Sequence, residues 1–359
     1  MLWIPCVAGV LIGYAVTGLT IKLSLRRGVL DFPTTRSLHF RPIPRLGGLG
    51  IVLGTCLPVV ALWILGLGGM IRSNLETRDV AIVLLGGSAM AAAGLYDDLH
   101  RATPGKKFLL QLGVAGLVIA LGARVENVAI PFFKTLQVGV LSIPLTILWI
   151  TGFANVYNFM DGINGLSAVT GAAYGIFFFL FAIRQGAPQL ATLALLLAGS
   201  CLGFLFHNFP EARTFMGDNG SLFLGGAFAV LALRLAQSST KPESQTALLL
   251  TCSVYIYDCG FTLLRRLKHR ENIFEAHRSH LYQRLVAAGL PHTKITFLYL
   301  ILHLLMGTLA LFYLDATSIA RLLILGVASM VLFGFTMAVY WFENRVAKAN
   351  SQVCAAPHA

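Results

Sequence analysis

Long apolar runs alternate with short polar segments along almost the whole chain. Runs of about 18 or more apolar residues are long enough to cross a bilayer as helices. The pattern therefore predicts an all-α polytopic membrane protein with about 11 transmembrane helices. The predicted spans are 2–23, 47–68, 78–95, 109–123, 138–156, 167–184, 189–206, 221–237, 245–264, 295–314 and 320–342.

Composition supports this class. The 359 residues are 57% hydrophobic and 12% charged, with a mean hydropathy of +0.76, which is outside the range of soluble globular domains. The first run has no basic start and no small-residue cleavage site, so we expect a retained helix rather than a signal peptide. We expect one transmembrane domain over 1–346 and a short, disordered polar tail over 347–359.

Basic residues predict the orientation. They cluster before the second span, at Lys106-Lys107, and between Arg265 and Lys294. By the positive-inside rule this favours a periplasmic N-terminus and a cytoplasmic C-terminus. The first cluster contains Arg26, Arg27, Arg36, Arg41 and Arg45. The segments placed in the cytoplasm are 24–46, 96–108, 157–166, 207–220 and 265–294. They hold nearly every unusual polar residue, so we expect an active site on the cytoplasmic loops.

Charge and cysteine usage narrow the function classes. The net charge of +12 favours anionic partners such as lipid headgroups or phosphorylated substrates. No soluble basic domain is present to bind nucleic acid, so we expect none. Most of the six cysteines lie inside apolar runs without ligand-like spacing, which predicts buried thiols rather than disulfides or a zinc site.

One polar stretch, NVYNFMDGINGLS, follows an apolar run directly. Asn155, Asn158 and Asp161 are spaced by three and fall on one face of a helix. A carboxylate at membrane depth costs roughly 2.5–3.5 kcal/mol, so a functional site is the default hypothesis. Gly162 and Gly165 then break the helix. The structural alternative is a polar hinge between two membrane helices.

Two more polar clusters contain acids. Asp97-Asp98 directly follow an apolar span. Two adjacent carboxylates at this position suit a divalent-cation site. Repulsion between them would raise the pKa of one, which suits a general base. An ordinary hydrophilic helix end is the alternative. Lys107 closes that loop as a membrane anchor or a phosphate contact. Asp218 lies in FMGDNGS, where the neighbouring glycines expose backbone amides, an arrangement that suits binding of Mg²⁺ and a diphosphate. The structural alternative is that Asp218 only stabilises a helix N-terminus.

Two further side-chain types fit a phosphorylated nucleotide. The Phe215 ring could stack on a nucleotide base. The structural alternative is that it only packs against other apolar side chains. The last loop crowds His277, Arg278, His280 and Arg284 together in HRSHLYQR, which suits phosphate contacts rather than zinc. Its alternative is a basic strip on anionic lipid. Together the four clusters supply what a metal-dependent phosphoryl transfer requires.

In the order of these motifs the chain resembles the polyprenyl-phosphate N-acetylhexosamine-1-phosphate transferases, the WecA/MraY superfamily in glycosyltransferase family 4. Asp97-Asp98 resembles the family's aspartate pair, and NVYNFMDGINGLS resembles its Asn-x-x-Asn-x-x-Asp-Gly core. Asn208 with FMGDNGS resembles a third motif, and HRSHLYQRL takes the place of the histidine-rich last loop. The resemblance implies transfer of a sugar 1-phosphate from a UDP-activated N-acetylated aminosugar to undecaprenyl phosphate, releasing UMP, in a bacterial inner membrane.

The resemblance also implies roles for residues. Asp218 would bind Mg²⁺ with Asn158, Mn²⁺ being an alternative metal, and Asp97 or Asp98 would bind or deprotonate the lipid phosphate with Asp161 in support. The implied substrate contacts are Phe215 on uracil, Asn164 and Lys107 on the nucleotide, Arg278, His277 and His280 on the diphosphate, and the motif residues Asn155 and Asn208. A homodimer is compatible with this reading.

Two departures from the family pattern bear on the donor. Asn164 stands where many members have a second acid, so no acid acts at that position. Tyr282 and Gln283 stand in the last loop where other branches have histidines, which disfavours a phospho-MurNAc-pentapeptide donor. EAHRSHLYQRL resembles the WbpL branch, which implies initiation of O-antigen or surface-polysaccharide synthesis. A lipid-linked sugar flippase or transporter is the alternative from another class. It is disfavoured because it would need a polar pathway through the membrane, whereas the acidic and amide residues gather at one face.

Overall fold

The protein is described by a computed structural model, which covers residues 3–33, 41–67, 77–100, 102–132, 135–272, 275 and 277–355. Arg36 of the first basic cluster lies outside these residues. The helices are α1 Ile4–Arg27, α2 Gly48–Leu67, α3 Thr77–Ala81, α4 Gly87–His100, α5 Pro104–Ala120, α6 Ser142–Phe159, α7 Leu166–Arg184, α8 Pro188–Asn208, α9 Gly217–Ser238, α10 Glu243–Thr251, α11 Ser253–Lys268, α12 Leu281–Ala287, α13 His292–Tyr313 and α14 Ser318–Ala355.

The all-α membrane fold is confirmed, with a correction to the number of spans. Within the described ranges, nine helices are long and apolar enough to cross a membrane, or ten if one bent pair forms a single span. The fourth predicted span, 109–123, corresponds to α5, whose 17 residues reach only about 26 Å. That length is short of the roughly 30 Å apolar core of a bilayer. The periplasmic N-terminus and cytoplasmic C-terminus stay predictions.

The predicted span 245–264 is not one straight helix. α10 and α11 meet at Cys252 with a bend of 71°. α10 packs against α13, whereas α11 contacts α6 as well as α13. The hydrophobic pattern could not show this bend, because both halves are apolar enough to read as one run.

The core lies in the middle of the bundle. The apolar windows of α7, α8 and α9 are 83%, 78% and 89% buried inside the protein, against 22% for α1 and 28% for α14. Between α1 and α8 the approach is very close, since a Cβ on Gly199 would lie 2.1 Å from the Cys6 carbonyl oxygen. Small residues allow such backbone contact between membrane helices.

A second close approach positions the candidate site. A Cβ on Gly94 of α4 would lie 2.2 Å from the carbonyl oxygen of Asp218 at the start of α9. On the other side of α9, a Cβ on Gly225 would lie 2.7 Å from Cα of Ala154 in α6. The end of α4, the end of α6 and the start of α9 therefore meet at one end of the bundle.

Two short antiparallel hairpins complete the fold. β1 (Leu30–Asp31) pairs with β2 (Ile43–Pro44), with Asp31 opposite Ile43. This hairpin lies beside the start of α9, because the Phe215 N–H donates to the Pro44 carbonyl at 2.8 Å. β3 (Asn127–Ala129) and β4 (Thr135–Gln137) pair between α5 and α6. α14 continues to Ala355 and so enters the segment 347–359 that the sequence predicts as a polar tail.

Candidate active site

Asp98 anchors the start of α9. Its carboxylate accepts the main-chain N–H groups of Asp218 at 3.0 Å and of Asn219 at 2.9 Å. The Asn219 side-chain amide donates to it at 2.7 Å, and Arg45 Nε lies 3.1 Å from it. The Asp98 side chain is fully buried. A carboxylate in this position stabilises the exposed N–H groups and the dipole of a helix N-terminus.

Asp97, one residue earlier, faces a different group. Lys107 of α5 donates to Asp97 Oδ2 at 3.4 Å and forms an ion pair with Asp218. All three side chains keep 17–18% of their surface exposed. Burial alone would lower the pKa of Lys107, but the carboxylates of Asp218 and Asp97 raise it above its usual value. Two carboxylates thus converge on one positive charge.

The polar stretch that begins in the last turn of α6 makes several separate contacts. Asn158 Nδ2 donates to Asp218 Oδ1 at 3.0 Å and to Ser221 Oγ at 2.8 Å. Asn155 points elsewhere, since its amide pairs with the amide of Gln111 at 2.7 and 3.2 Å. Asp161 follows the helix end. Burial, followed by the nearby carboxylates of Asp218 and Asp98, raises the pKa of Asp161 to about 7.

A cavity of about 300 Å³ lies beside these groups. It combines acids, amides, guanidinium groups and one aromatic ring, the mixture that a phosphorylated nucleotide requires. Its lining includes Asp31, Arg45, Asn158, Asp161, Asn164, Asn208, Phe215, Asp218, Arg278, Gln283 and His292.

Asn208 and Asn164 hold the walls of this cavity. Asn208 is buried and accepts the Gly165 N–H at 2.7 Å, while its own amide donates to the Thr214 carbonyl at 2.9 Å. Asn164 Nδ2 donates to the Pro210 carbonyl at 3.1 Å. Gly165 adopts a left-handed φ of 77°, which favours glycine. These contacts fix the loop after α6 against the end of α8.

The last loop places its basic residues in different surroundings. Arg278 is exposed and lines the cavity. His280 is only 4% exposed, and its Nδ1 lies 3.3 Å from Asp258 Oδ1. His277 is hydrogen-bonded to Ser279 at 2.9 Å, and burial followed by the charges of neighbouring basic groups lowers its pKa to about 4. Neither histidine is among the residues that line the cavity, so their contact with a diphosphate stays a prediction.

Sequence reasoning missed several residues. Arg45 was counted only as a charge that sets orientation, yet it pairs with Asp98 and lines the cavity with Asp31 and His292. Asp258 is 1% exposed in α11. An acid inside an apolar run is itself a signal of function, so this position could have been found from the sequence.

A larger, mainly apolar groove of about 540 Å³ runs beside α6. It begins near the β3 hairpin and extends to Val156, two residues before Asn158. Its apolar wall includes Leu145, Leu148, Phe153, Val156, Leu248 and Ile256. The groove and the acidic cluster therefore share α6, since Asn158 near the end of this helix contacts Asp218.

The acidic cluster can hold a cation. In the described part of the chain, no three His, Cys, Asp or Glu side chains are grouped as a metal site made of protein alone. Asp97 and Asp218 nevertheless already share the ammonium group of Lys107. Mg²⁺ is usually held in this way, by one or two carboxylates, with substrate phosphates and water completing its shell. The donor set therefore fits Mg²⁺ bound together with a phosphorylated substrate.

Comparison with known proteins identifies the family of the chain. The model of glycosyl transferase family 4 matches residues 80–236. A probable undecaprenyl-phosphate N-acetylglucosaminyl 1-phosphate transferase of Bacillus subtilis (strain 168) is 34% identical over 290 residues, 80% of this chain and 78% of its own length. A decaprenyl-phosphate N-acetylglucosaminephosphotransferase of Mycobacterium tuberculosis (strain ATCC 25618 / H37Rv) is 30% identical over 333 residues, 84% of this chain and 78% of its own.

A phospho-N-acetylmuramoyl-pentapeptide-transferase of Chlorobaculum parvum is also similar, with 28% identity over 300 residues, 74% of this chain and 78% of its own length. The nine or ten candidate spans and these bacterial relatives make the chain a multi-pass protein of the bacterial inner membrane. The chain belongs to glycosyl transferase family 4.

Proposed function

We propose that this protein is a polyprenyl-phosphate hexosamine-1-phosphate transferase that uses a UDP-activated N-acetylated hexosamine or deoxyhexosamine and undecaprenyl phosphate. The product is a lipid diphosphate sugar, and UMP leaves. One observation carries the proposal: Asp97 and Asp218 converge on one positive charge beside a cavity that contains Arg278 and Phe215. The B. subtilis and M. tuberculosis relatives support the reaction class by their names.

The bond changes balance without any further reactant. A phosphate oxygen of the lipid forms a bond to the β-phosphorus of the donor. The bond between that phosphorus and the bridging oxygen breaks, and the oxygen leaves with UMP. Transition states of this kind need little besides positioning and charge stabilisation.

We propose Mg²⁺ as the cofactor, with Mn²⁺ as an alternative. Asp218 and Asn158 would hold it, and it would neutralise charge on the donor diphosphate. Asn158 is already hydrogen-bonded to Asp218 and Ser221, so its orientation is fixed before the donor arrives. Groups fixed in this way cost little reorganisation during the reaction.

The donor nucleotide fits the remaining lining. The Arg278 guanidinium is suited to a phosphate, since its donors form a planar fork. The Phe215 ring supplies a stacking face for uracil, and its backbone is held by Pro44 and Gly47. Asn164 presents an amide at the same cavity. Rigid attachment of these groups orients the donor for transfer.

For the acceptor we assign Asp97 rather than Asp98 as the acid that binds or deprotonates the lipid phosphate. Asp98 is fully buried and its oxygens are occupied by Arg45, Asn219 and the start of α9. Asp97 keeps 17% of its side chain exposed. The mainly apolar groove beside α6 suits the polyprenyl tail, because it ends close to Asn158.

The glycan built from this lipid is a finer proposal. The departures in the last loop, Tyr282 and Gln283, favour an initiating transferase of O-antigen or other surface-polysaccharide synthesis. Gln283 lines the cavity and Tyr282 supports the loop after α6. A peptidoglycan precursor as donor is the competing outcome, since one relative is named for that reaction.

The test uses the purified full-length protein with undecaprenyl phosphate and a panel of UDP-sugars, including UDP-GlcNAc, deoxyhexosamine donors and UDP-MurNAc-pentapeptide. We expect UMP release and lipid-linked product with an N-acetylhexosamine donor, loss of activity in EDTA and recovery with Mg²⁺. Asp218→Ala should abolish product, whereas Asp315→Ala, a 61% exposed acid far from the cavity, should not. Failure of every donor overturns the reaction class, and activity in EDTA overturns the metal.

A further inference from the structure

Asp258 is a buried acid that the proposed chemistry does not use. It lies in α11, within an apolar run, and its side chain is 1% exposed. A buried carboxylate without compensating contacts is strongly unfavourable. Tyr299 Oη donates to Asp258 Oδ2 at 2.5 Å, and the Leu281 N–H donates to Oδ1 at 2.9 Å. His280 Nδ1 is 3.3 Å from the same oxygen.

These contacts place Asp258 at the start of α12. Leu281 is the first residue of α12 and His280 precedes it. The carboxylate therefore satisfies a main-chain donor that the helix itself leaves unpaired. Since groups of α11, α12 and α13 meet at Asp258, this side chain is an anchor of the last loop on the bundle.

The network continues from α12 to the cavity. Gln283 accepts the His280 N–H at 3.3 Å and donates to Tyr282 Oη at 3.1 Å. Tyr282 Oη in turn donates to the Phe159 carbonyl at 3.0 Å, at the end of α6. A Cβ on Gly162 would lie 2.1 Å from Tyr282 Oη, so the ring also rests against the loop that contains Asp161.

We propose that Asp258 is a positioning residue for the transfer reaction: it fixes the orientation of His280 and, through α12, the relative placement of the two loops that present Arg278 and Asp161 to the cavity. The inference rests on the proposed function. The carboxylate beside Nδ1 favours a proton on that nitrogen, which leaves Nε2, on the far side of the ring, as the acceptor.

The groups that face His280 come from four elements and from the loop itself. Asp258 of α11 supplies a carboxylate to His280, and Tyr299 of α13 shares that carboxylate. Tyr282 of α12 and Phe159 of α6 stack near the ring at centroid distances of 6.0 and 6.2 Å. His277 lies 5.1 Å away in the loop. Because Asp258 is not itself among the lining residues, replacing it changes the charge at His280 without removing any group from the cavity.

The first experiment needs no substrate. Hydrogen exchange of the segment 278–285 is compared in the wild-type protein, Asp258→Ala and Tyr299→Phe. We expect the Leu281 amide to exchange at least about tenfold faster in Asp258→Ala, because a hydrogen bond to a charged acceptor is lost. Tyr299→Phe keeps the carboxylate and should change this amide much less. Unchanged protection in Asp258→Ala overturns the structural role, whatever the reaction of the protein.

The second experiment is kinetic and uses Asp258→Asn, which preserves shape. We expect kcat to fall about 10- to 100-fold. The KM for the donor should change less than kcat, because Asp258 itself does not line the cavity. The double variant Asp258→Asn/His280→Phe should be no slower than His280→Phe alone. Effects that multiply, or a change confined to KM, overturn the positioning of His280.

A matched control separates this outcome from general destabilisation. Asp79 is another buried acid, 1% exposed, paired with Arg234 at 2.7 Å near the opposite end of the bundle. Asp79→Asn should lower the thermal midpoint but leave kcat close to that of the wild-type protein. Absence of any activity in the wild-type protein would refute the proposed function, while the exchange experiment would still decide the role of Asp258 in the fold.

Discussion

The main-chain N–H of Asp218 donates a hydrogen bond to the side chain of Asp98 at 3.0 Å. Asp98 thus sets the position of Asp218 through the backbone, while the Asp218 carboxylate remains directed at Lys107 and Asn158. Two acids that look alike in the sequence therefore have different tasks. One builds the helix start, and the other presents its charge to the cavity.

Asp98→Ala should act mainly on stability. It leaves Arg45 and two main-chain donors of α9 without their partner, and breaking a buried ion pair costs about 3–5 kcal/mol. We expect a clear fall in the thermal unfolding midpoint of the purified protein, together with loss of activity. Asp97→Asn, at a partly exposed position, should instead keep the midpoint within a few degrees and abolish UMP release. The reverse pattern would contradict our assignment of the acceptor acid.

Gly94→Ala should separate α4 from α9. The added Cβ meets backbone atoms of Asp218 and Asn219 at 2.2 to 2.6 Å, and backbone cannot rotate away as a side chain does. We expect a loss of about 1–3 kcal/mol in stability and a larger fractional loss of activity, measured by thermal unfolding and UMP release. Gly113→Ala is the control, because its Cβ would meet nothing within 4 Å on α5. Equal behaviour of the two variants would argue against close contact at the site.

Lys107→Met should expose a competition between cations. Lys107 forms ion pairs with both Asp97 and Asp218, and we propose that Mg²⁺ binds beside these acids. Removing its charge should lower the Mg²⁺ concentration needed for half-maximal activity, while kcat falls because a donor contact is lost. Titration of activity with Mg²⁺ measures both quantities. Lys106→Met, one residue away and exposed, should leave the titration unchanged. A higher Mg²⁺ requirement in Lys107→Met would count against the competition.

Asp161 should make stability depend on pH. Its pKa is raised from 3.8 to about 7, mainly by burial, so the folded protein binds a proton that the unfolded chain has released. The contribution of this group is therefore most favourable below about pH 4 and is lost as pH rises through 7. We expect Asp161→Asn to flatten the fall in thermal midpoint between pH 5 and 8 (roughly the window of this titration). A variant with the wild-type slope would contradict the raised pKa.

The sequence predicted most of the helices because length and hydropathy decide whether a segment can cross a membrane. It also placed Asp97, Asp98, Asn158 and Asp218 on one membrane face, through the positive-inside rule. The structure brings the other three together around Asp218: Asn158 and Asp98 by hydrogen bonds, and Asp97 through the shared Lys107.

The rest depended on side-chain direction, which helical spacing does not determine. Asn155 shares a helix face with Asn158 in sequence, yet its amide pairs with Gln111 because α5 packs there. The resemblance implies that His280 contacts the diphosphate, but in the structure it is buried against Asp258 of α11. In both cases the deciding partner comes from a distant helix.

The length of α14 has a further consequence for the last loop. Glu343 lies about 38 Å along α14 from Ser318, more than the roughly 30 Å apolar core of a bilayer. There its carboxylate accepts two hydrogen bonds from the Arg284 guanidinium of α12, from Nε at 2.8 Å and from Nη2 at 2.5 Å. The Glu343 side chain keeps 28% of its surface exposed. Mobile ions screen such a pair, whereas they do not reach the carboxylate of Asp258. The loop is consequently held by one anchor that responds to ionic strength and another that does not.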